Sequence, residues 1–337
     1  MTIYICIEAV LLVLLFKKKP HHIGYSLISI GLLLISAFRA ESVGTDVVNY
    51  IIEYNLHGIE TWKESFTNSE YTFAIYCKFL NVLGLKERGF LIATAILFAM
   101  LLMIALHVNH CDKILTFSLF YFAGLYLQSF CIIRQSLAIV TALISYSSLE
   151  KNYSIQMPYN KGRFQRFPIG FVIGMIIAIG FHPTVIVLFA LPVMMLFYGQ
   201  KRCRKPSVFL RDGILCMSAA LIILPVLYPF ILQHSKEKYQ VLYGGSYVTG
   251  PFGNWKSGIL LVALYLIFYI AYYNNWKKLT EKENIIVGSV IMLAFACSSL
   301  SIINSTLGRT NLFFEGLMVL MPVSYTHLRA HETRSNL

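Results

Sequence analysis

The sequence is short of charge, and of negative charge above all. Only 13% of its 337 residues are charged, and 16 acidic side chains stand against 28 lysines and arginines. The polar shell that an ordinary soluble protein needs is missing. The charged breaks between its apolar runs are also short, so the sequence leaves no room for a separate soluble domain.

Residues that bind metals or form disulfides are also scarce. The seven cysteines are odd in number and show no Cys-x-x-Cys spacing, so neither a disulfide framework nor a zinc site is predicted. Acidic residues at the predicted outer face are limited to Asp46 and scattered loop glutamates. We therefore expect no metal and no cofactor.

Apolar residues dominate the chain instead. They make up 57% of it, the mean hydropathy is +0.65, and apolar runs recur from end to end. A helix of roughly 20 residues crosses a hydrocarbon core of about 30 Å. The runs predict an all-α polytopic membrane protein of about 11 transmembrane helices, in one domain over residues 1–322. The predicted spans cover residues 3–16, 23–38, 89–108, 114–128, 131–149, 167–181, 184–198, 213–232, 257–275, 285–303 and 311 onward.

The positive charges indicate which loops face the cytoplasm. Lysines and arginines cluster in short loops such as Lys17–Lys19 and Lys201–Lys205, as cytoplasmic loops do. The first span precedes its lysines, so it reads as a retained span with its N-terminus outside. Tyr71–Leu85, which would reverse this sidedness if it crossed the membrane, is interpreted as an amphipathic helix on or re-entering the outer face. The outer face then carries loops Arg39–Arg88 and Gln233–Lys256. The sequence has no basic face interleaved with aromatic residues, so nucleic-acid binding is not predicted.

The C-terminus turns polar abruptly inside an unfinished span. Residues 323–333 read VSYTHLRAHET, which resembles the in-frame translation of a transposase-type sequencing adapter. On this interpretation residues 323–337 are a non-native tail on a truncated chain. A genuine polar tail after a short last span is the alternative.

Two polar motifs stand at predicted outer ends of spans. The first, FRAESVGTDVVNY, contains Arg39, a Gly-Thr-Asp turn with Asp46, and Tyr50. Its alternative reading is an arginine reaching the head groups beside a helix cap. The second is Arg134-Gln135, at the mouth of the fifth span. A charge there either faces a cavity, a partner or a substrate, or reaches the head groups.

Two further motifs lie in predicted outer turns. His182 lies in the tight turn FHPT, and histidine can exchange a proton near neutral pH. Arg309 lies in LGRTN, where another span begins. Alone, each is also explained as a polar connector.

In this order, the four motifs resemble the EpsG family, relatives of Wzy-type polysaccharide polymerases. The resemblance covers nearly the whole chain. The family commonly continues past its last arginine motif, so we expect native residues beyond Pro322. The matching residues are Arg39 with Gly44-Thr45-Asp46 and Tyr50, then Ile133 to Ala138, then Phe181 to Thr184, then Gly308-Arg309.

The resemblance implies a membrane glycosyltransferase. Such an enzyme polymerises polyprenyl-pyrophosphate-linked oligosaccharide repeat units into exopolysaccharide or capsule, at the outer face of a bacterial cytoplasmic membrane. Its partners would be the lipid-linked oligosaccharides, membrane lipid and other exopolysaccharide export proteins.

The arginines fit this chemistry. Negative charge grows on the departing lipid pyrophosphate, and arginines can stabilise it without a metal because they stay charged and contact phosphate through two donors. We expect Arg134 and Arg309 to contact the pyrophosphate, with Arg39 as a third ligand. Gln135 and Tyr50 are expected to orient the substrates.

The attacking sugar hydroxyl also needs a general base. Asp46 and His182 are both candidates, and the sequence does not choose between them.

Two other functions stay open at this stage. A transporter or flippase of lipid-linked sugars would carry charged or broken helices near the midplane and, often, inverted repeats, whereas the charges here lie at one face. A Wzy-related ligase that moves finished glycan to another acceptor shares the chemistry, and the motifs do not separate it from a polymerase.

The charge asymmetry predicts that Arg39, Asp46, Arg134, His182 and Arg309 all face outward. Single cysteines at these positions, in a variant without native cysteines, should react with an impermeant thiol reagent from outside intact cells. Labelling of position 46 only from the cytoplasmic side would contradict both the topology and the site.

Overall fold

The computed structural model describes residues 22–41, 43–44, 46–111, 113–156, 161–200, 205–233, 255–303 and 308–321. These residues divide into two compact units. The first contains the described residues up to Leu149, then Pro168–Ile186 and 319–321; the second contains Glu150–Phe167 and Val187–Met318. That residues 1–322 form one membrane domain stays a prediction. The predicted span at 3–16, most of the loop Gln233–Lys256 and the polar tail lie outside the described residues.

The first unit is helical. Its helices are α1 (His22–Phe38), α2 (Val47–Ile59), α3 (Trp62–Asn68), α4 (Tyr71–Val82), α5 (Glu87–Val108), α6 (Lys113–Phe122), α7 (Leu125–Gln128), most of α8 (Ile133–Asn152) and α9 (Ile169–Phe181). Helix α1 packs on α5, and α4 packs on both α2 and α9.

The second unit contains the remaining elements. A two-stranded antiparallel hairpin joins β1 (Tyr153–Gln156) to β2 (Lys161–Phe164), with Tyr153 opposite Phe164. The helices are α10 (Ala190–Gln200), α11 (Pro206–Gln233), α12 (Trp255–Asn275), α13 (Glu281–Ile303) and α14 (Asn311–Met321), the last of which ends in the first unit. Short 3-10 helices cover Pro183–Phe189, which starts in the first unit, and Trp276–Lys278.

Five described helical segments are long and apolar enough to cross a membrane: Glu87–Val108, Pro183–Gln200, Pro206–Leu224, Gly258–Lys278 and Glu281–Ile302. Three shorter apolar helices, Ser26–Phe38, Ile169–Phe181 and Asn311–Met321, also match predicted spans. The helical membrane class is confirmed, but the count of about 11 spans is not.

Three details differ from the sequence-based expectation or refine it. The predicted span at 114–128 is interrupted between α6 and α7, where Gly124 has a φ of +75° that ends the first helix. Strands β1 and β2 replace part of an expected loop, and the Tyr153 hydroxyl donates to the Met195 carbonyl 2.8 Å away. Tyr71–Leu85 contains the 12-residue helix α4, which is too short to cross a bilayer.

A buried asparagine fixes the turn before α14. Asn311 is fully buried, and its amide donates to the carbonyls of Cys297 at 3.2 Å and Gly308 at 3.0 Å and to Ser301 Oγ at 2.8 Å. Its oxygen accepts a hydrogen bond of 3.1 Å from the Tyr265 hydroxyl. These contacts tie α12, α13 and α14 together and hold the Gly308-Arg309 turn.

Replacing Asn311 with leucine should lower the free energy of unfolding by about 1 to 3 kcal/mol, because its buried partners lose their hydrogen bonds. Tyr265→Phe removes a single contact and should cost less, about 0.5 to 1.5 kcal/mol. Unfolding of purified protein in detergent, followed by circular dichroism, measures both. Equal stability of Asn311→Leu and the unchanged protein would contradict this role.

Candidate functional site

Arg134 is held by two carboxylates. It lies in the first turn of α8, and its Nη1 is 3.1 Å from Glu53 Oε1 and 2.5 Å from Glu70 Oε2. Glu53 belongs to α2, and Glu70 directly precedes α4. The three side chains are 24%, 24% and 11% exposed, in the order Arg134, Glu53, Glu70. A cation in an apolar setting needs such partners, since an unpaired buried charge is costly.

Two aromatic rings complete the surroundings of this guanidinium. Its central carbon lies 5.4 Å from the Tyr50 ring centre and 5.5 Å from that of Phe73. Tyr50 and Phe73 meet edge to face with their centres 6.1 Å apart. The rings favour the cation electrostatically and restrict its orientation. Tyr50 and Arg134, predicted from separate motifs, therefore meet.

Glu53 is the centre of further contacts. Ser69 Oγ donates to its Oε1 at 2.6 Å, and His57 Nε2 lies 4.0 Å from the same oxygen. His57 is almost completely buried, and its Nδ1 is 3.1 Å from Glu60 Oε2. Glu53, His57 and Glu60 lie three or four residues apart, so they share one face of α2 and its C-terminal end.

Glu60 stays ionised in this network. Burial opposes its charge, but hydrogen bonds from Asn68 and Ser65 and the neighbouring His57 outweigh that effect and hold the pKa of Glu60 below its ordinary value. The Asn68 amide donates to Oε1 at 2.8 Å, and Ser65 Oγ donates to Oε2 at 3.0 Å.

Local interactions also explain why α2, α3 and α4 form a fixed group. The Lys78 ammonium donates to the carbonyls of His57 at 2.9 Å and Glu60 at 2.7 Å, at the C-terminal end of α2, and it lies 5.2 Å from the centre of the Trp62 ring. A cation there complements the helix dipole. Thr61 and Glu64 form a capping box at the start of α3.

The Arg39 motif packs against the residues just before α8. Arg39 is 7% exposed, its Nη1 donates to the Ser36 carbonyl at 2.8 Å, and its guanidinium lies 5.2 Å from the Phe130 ring centre. Gly44 has a φ of +110°, and an added Cβ would lie 2.4 Å from the Phe130 carbonyl oxygen. Only glycine suits this close turn.

Arg39 also lines a small cavity. It has a volume of about 10 Å³, enough for about one water molecule. Four hydroxyl side chains share its wall with apolar residues from α5 and α8. The hydroxyls belong to Ser36, Thr94, Ser129 and Ser136.

Asp46 and His182, the two candidate bases, both belong to the first unit. Asp46 is half-buried just before α2, where its carbonyl accepts from the Tyr50 amide at 3.1 Å; its side chain makes no capping hydrogen bond. His182 follows α9 and is half-buried, with Nδ1 3.4 Å from Thr184 Oγ1. Gly180 packs against Tyr71 and Thr72. The turn containing His182 therefore lies near the start of α4, where Glu70 pairs with Arg134.

Gln135 and Arg309, the other two predicted site residues, lie in different units. Gln135 follows Arg134 in α8 and is 1% exposed. Arg309 is half-buried in the second unit, where its carbonyl accepts from the Leu312 amide at 3.2 Å. The first unit therefore contains Arg39, Tyr50 and Arg134, whereas Arg309 belongs to the second. The functional roles of all four stay predictions.

Sequence reasoning missed the acidic partners of Arg134. Glu53 and Glu70 read as scattered loop residues, because they precede the arginine by 81 and 64 positions. The available signal was the spacing of Glu53, His57 and Glu60, which suits one face of a helix. Among the described residues, no three histidine, cysteine or acidic side chains are grouped to hold a metal ion.

The comparisons with known proteins agree with the motifs. The sequence model described as "EpsG family" matches residues 22–336. The matched range includes most of the polar tail interpreted above as non-native. No curated protein and no solved structure is detectably similar to the chain. The family match spans nearly the whole length, and the chain belongs to the EpsG family.

Proposed function

We propose that this protein polymerises polyprenyl-pyrophosphate-linked oligosaccharide repeat units at the outer face of the cytoplasmic membrane. Its family makes it a membrane protein related to exopolysaccharide synthesis. One observation carries the proposal furthest: two separate motifs come together at the start of α8, where Tyr50 of the first lies against Arg134 of the second, and Arg39 and Gly44 of the first pack on Phe130.

Arg134 can contact the lipid-pyrophosphate donor with the part of its guanidinium that does not pair with the carboxylates. Both ion pairs use Nη1. The guanidinium also makes a side-chain hydrogen bond with Tyr50, so a phosphate would use the donors outside these three contacts. A guanidinium carries five N–H donors in a rigid fork. One edge can therefore hold the carboxylates while another contacts a phosphate oxygen. Arg39 and Arg309 are proposed as further phosphate ligands, with Gln135 and Tyr50 orienting the substrates.

The proposed reaction exchanges one bond for another. The acceptor sugar hydroxyl forms a bond to C1 of the donor sugar, and the bond from C1 to the pyrophosphate oxygen breaks. The lipid pyrophosphate leaves with the electron pair, and the hydroxyl proton goes to a base. Asp46 and His182 are the bases proposed from the sequence. Arginine charge stabilises the leaving group in the transition state, so we expect activity in the presence of chelator.

A flippase and a ligase are the competing functions. A flippase moves the lipid-linked unit without forming a glycosidic bond, and a ligase joins finished glycan to an unlike acceptor. Purified protein in proteoliposomes, supplied only with lipid-linked repeat units and chelator, separates the three. Products of increasing length support polymerisation, whereas translocation without bond formation, or no product until another acceptor is added, contradicts it.

Arg134→Lys should reduce the polymerisation rate about 100- to 1,000-fold, the loss seen when one fixed donor to a developing charge is removed. Lysine keeps the positive charge but has no second edge with which to contact phosphate. The measurement is the initial rate of chain extension in the same proteoliposomes, with equal amounts of folded protein.

Arg211→Lys is the matched control. Arg211 is 64% exposed and pairs with the adjacent Asp212, so its replacement should leave the rate unchanged. Full activity of Arg134→Lys would remove Arg134 from the donor site and leave it with a structural role.

A further inference from the structure

The contacts of Glu53 converge on one of its two carboxylate oxygens. Arg134 Nη1 at 3.1 Å and Ser69 Oγ at 2.6 Å both donate to Oε1. Oε2 has no hydrogen-bond partner among the described residues, and the side chain is 24% exposed. The carboxylate is thus fixed at one oxygen and accessible at the other.

The neighbouring carboxylates are arranged differently. Both oxygens of Glu60 are used, Oε1 by Asn68 and Oε2 by Ser65 and His57. Glu70 pairs with Arg134 as Glu53 does, but it is less exposed, at 11%. Of these three, Glu53 combines a fixed orientation, access and an oxygen outside the network.

A buried nitrogen beside Glu53 is the second observation. His57 is 1% exposed, and its Nε2 has no hydrogen-bond partner among the described residues, although it faces Glu53 Oε1 at 4.0 Å. Buried polar atoms without partners are rare because they are costly. The ring, like Arg134 and Ser69, lies on the Oε1 side of Glu53 and leaves Oε2 for a substrate.

The charges of the group favour the arrival of one proton. Arg134 is one cation between the two anions Glu53 and Glu70, so the three carry one net negative charge. Protonation of Glu53 makes the group neutral. It also leaves the charge of Arg134 less compensated at the moment when negative charge grows on a pyrophosphate at its other edge. Interactions that strengthen only in the transition state are the ones that accelerate a reaction.

We infer that Glu53 is the general base that takes the proton of the acceptor sugar hydroxyl, with Arg134 and Ser69 as its positioning residues. The inference rests on the proposed function and differs from the sequence-based candidates Asp46 and His182. Oε2 accepts the hydroxyl proton, the freed oxygen pair forms the bond to donor C1, and the bond from C1 to pyrophosphate breaks. Arg134 then contacts the base with one edge and the leaving group with another.

The decisive variant is Glu53→Gln. Its amide oxygen can still accept hydrogen bonds from Arg134 and Ser69, but it cannot take a proton. We expect polymerisation to slow about 100- to 10,000-fold, the usual contribution of general acid–base catalysis, with little change in binding of the lipid-linked donor. A general base that already carries a proton cannot take another, so the rate of the unchanged protein should fall at acid pH. This fall should be absent from the residual rate of the variant.

The charged and titratable groups around Glu53 are Arg134 from α8, Glu70 before α4, Cys77 from α4, and His57 on its own helix. The pH profile is therefore measured on Glu70→Gln, Cys77→Ser and His57→Gln as well, and all three should retain the acid fall. Glu64→Gln is the matched control, since this exposed residue belongs to the capping box of α3, where glutamine also works, and its rate should not change. If Glu53→Gln does not fold, Glu53→Asp is measured in its place. Its shorter carboxylate should give a lower polymerisation rate that still falls at acid pH.

The outcomes separate the two proposals. Chain extension by the unchanged protein together with an unimpaired Glu53→Gln would overturn the role of Glu53 and leave the proposed function standing. The same holds if Asp46→Asn or His182→Gln abolishes the acid fall while Glu53→Gln retains it. Absence of chain extension by the unchanged protein would overturn the proposed function itself.

Discussion

The ion pairs between Arg134 and two glutamates are the interaction on which the first unit depends. A guanidinium among apolar helices must be paired, and here both partners come from elements that precede it by more than 60 positions. The pairing joins α2 and the start of α4 to the start of α8. It therefore holds α2 and α4 against the start of the helix that contains the arginine motif.

The remaining contacts of that segment maintain the same arrangement. Lys78 caps the C-terminal end of α2, Gly44 lets the chain turn closely against Phe130, and Gly180 brings α9 against the start of α4. Each of these interactions involves a residue type that the position requires: a cation at helix carbonyls, or a glycine where a Cβ would clash. The proposed chemistry uses this rigidity, because a base and a phosphate ligand act only when they are held in place.

The sequence predicted what depends on local composition and order. The apolar runs predicted helices near the observed bounds, such as 167–181 for Ile169–Phe181, and the four motifs identified the family. It did not predict the partners of Arg134, since glutamates 64 and 81 positions away look like ordinary loop residues. The interruption at Gly124 and the hairpin held by Tyr153 were missed because a hydropathy pattern does not encode backbone conformation or a distant carbonyl partner.

The most direct measurement of the central claim is the coupling between Arg134 and Glu53 in the free energy of unfolding. Arg134→Met, Glu53→Leu and the double variant are unfolded in identical detergent, with Glu64→Leu replacing Glu53→Leu in a control cycle. The ion pair predicts a coupling of about 0.5 to 3 kcal/mol for Glu53 and additive effects for Glu64. Additive effects in both cycles, within about 0.5 kcal/mol, would contradict the account, because Arg134 would then not hold α2 in place.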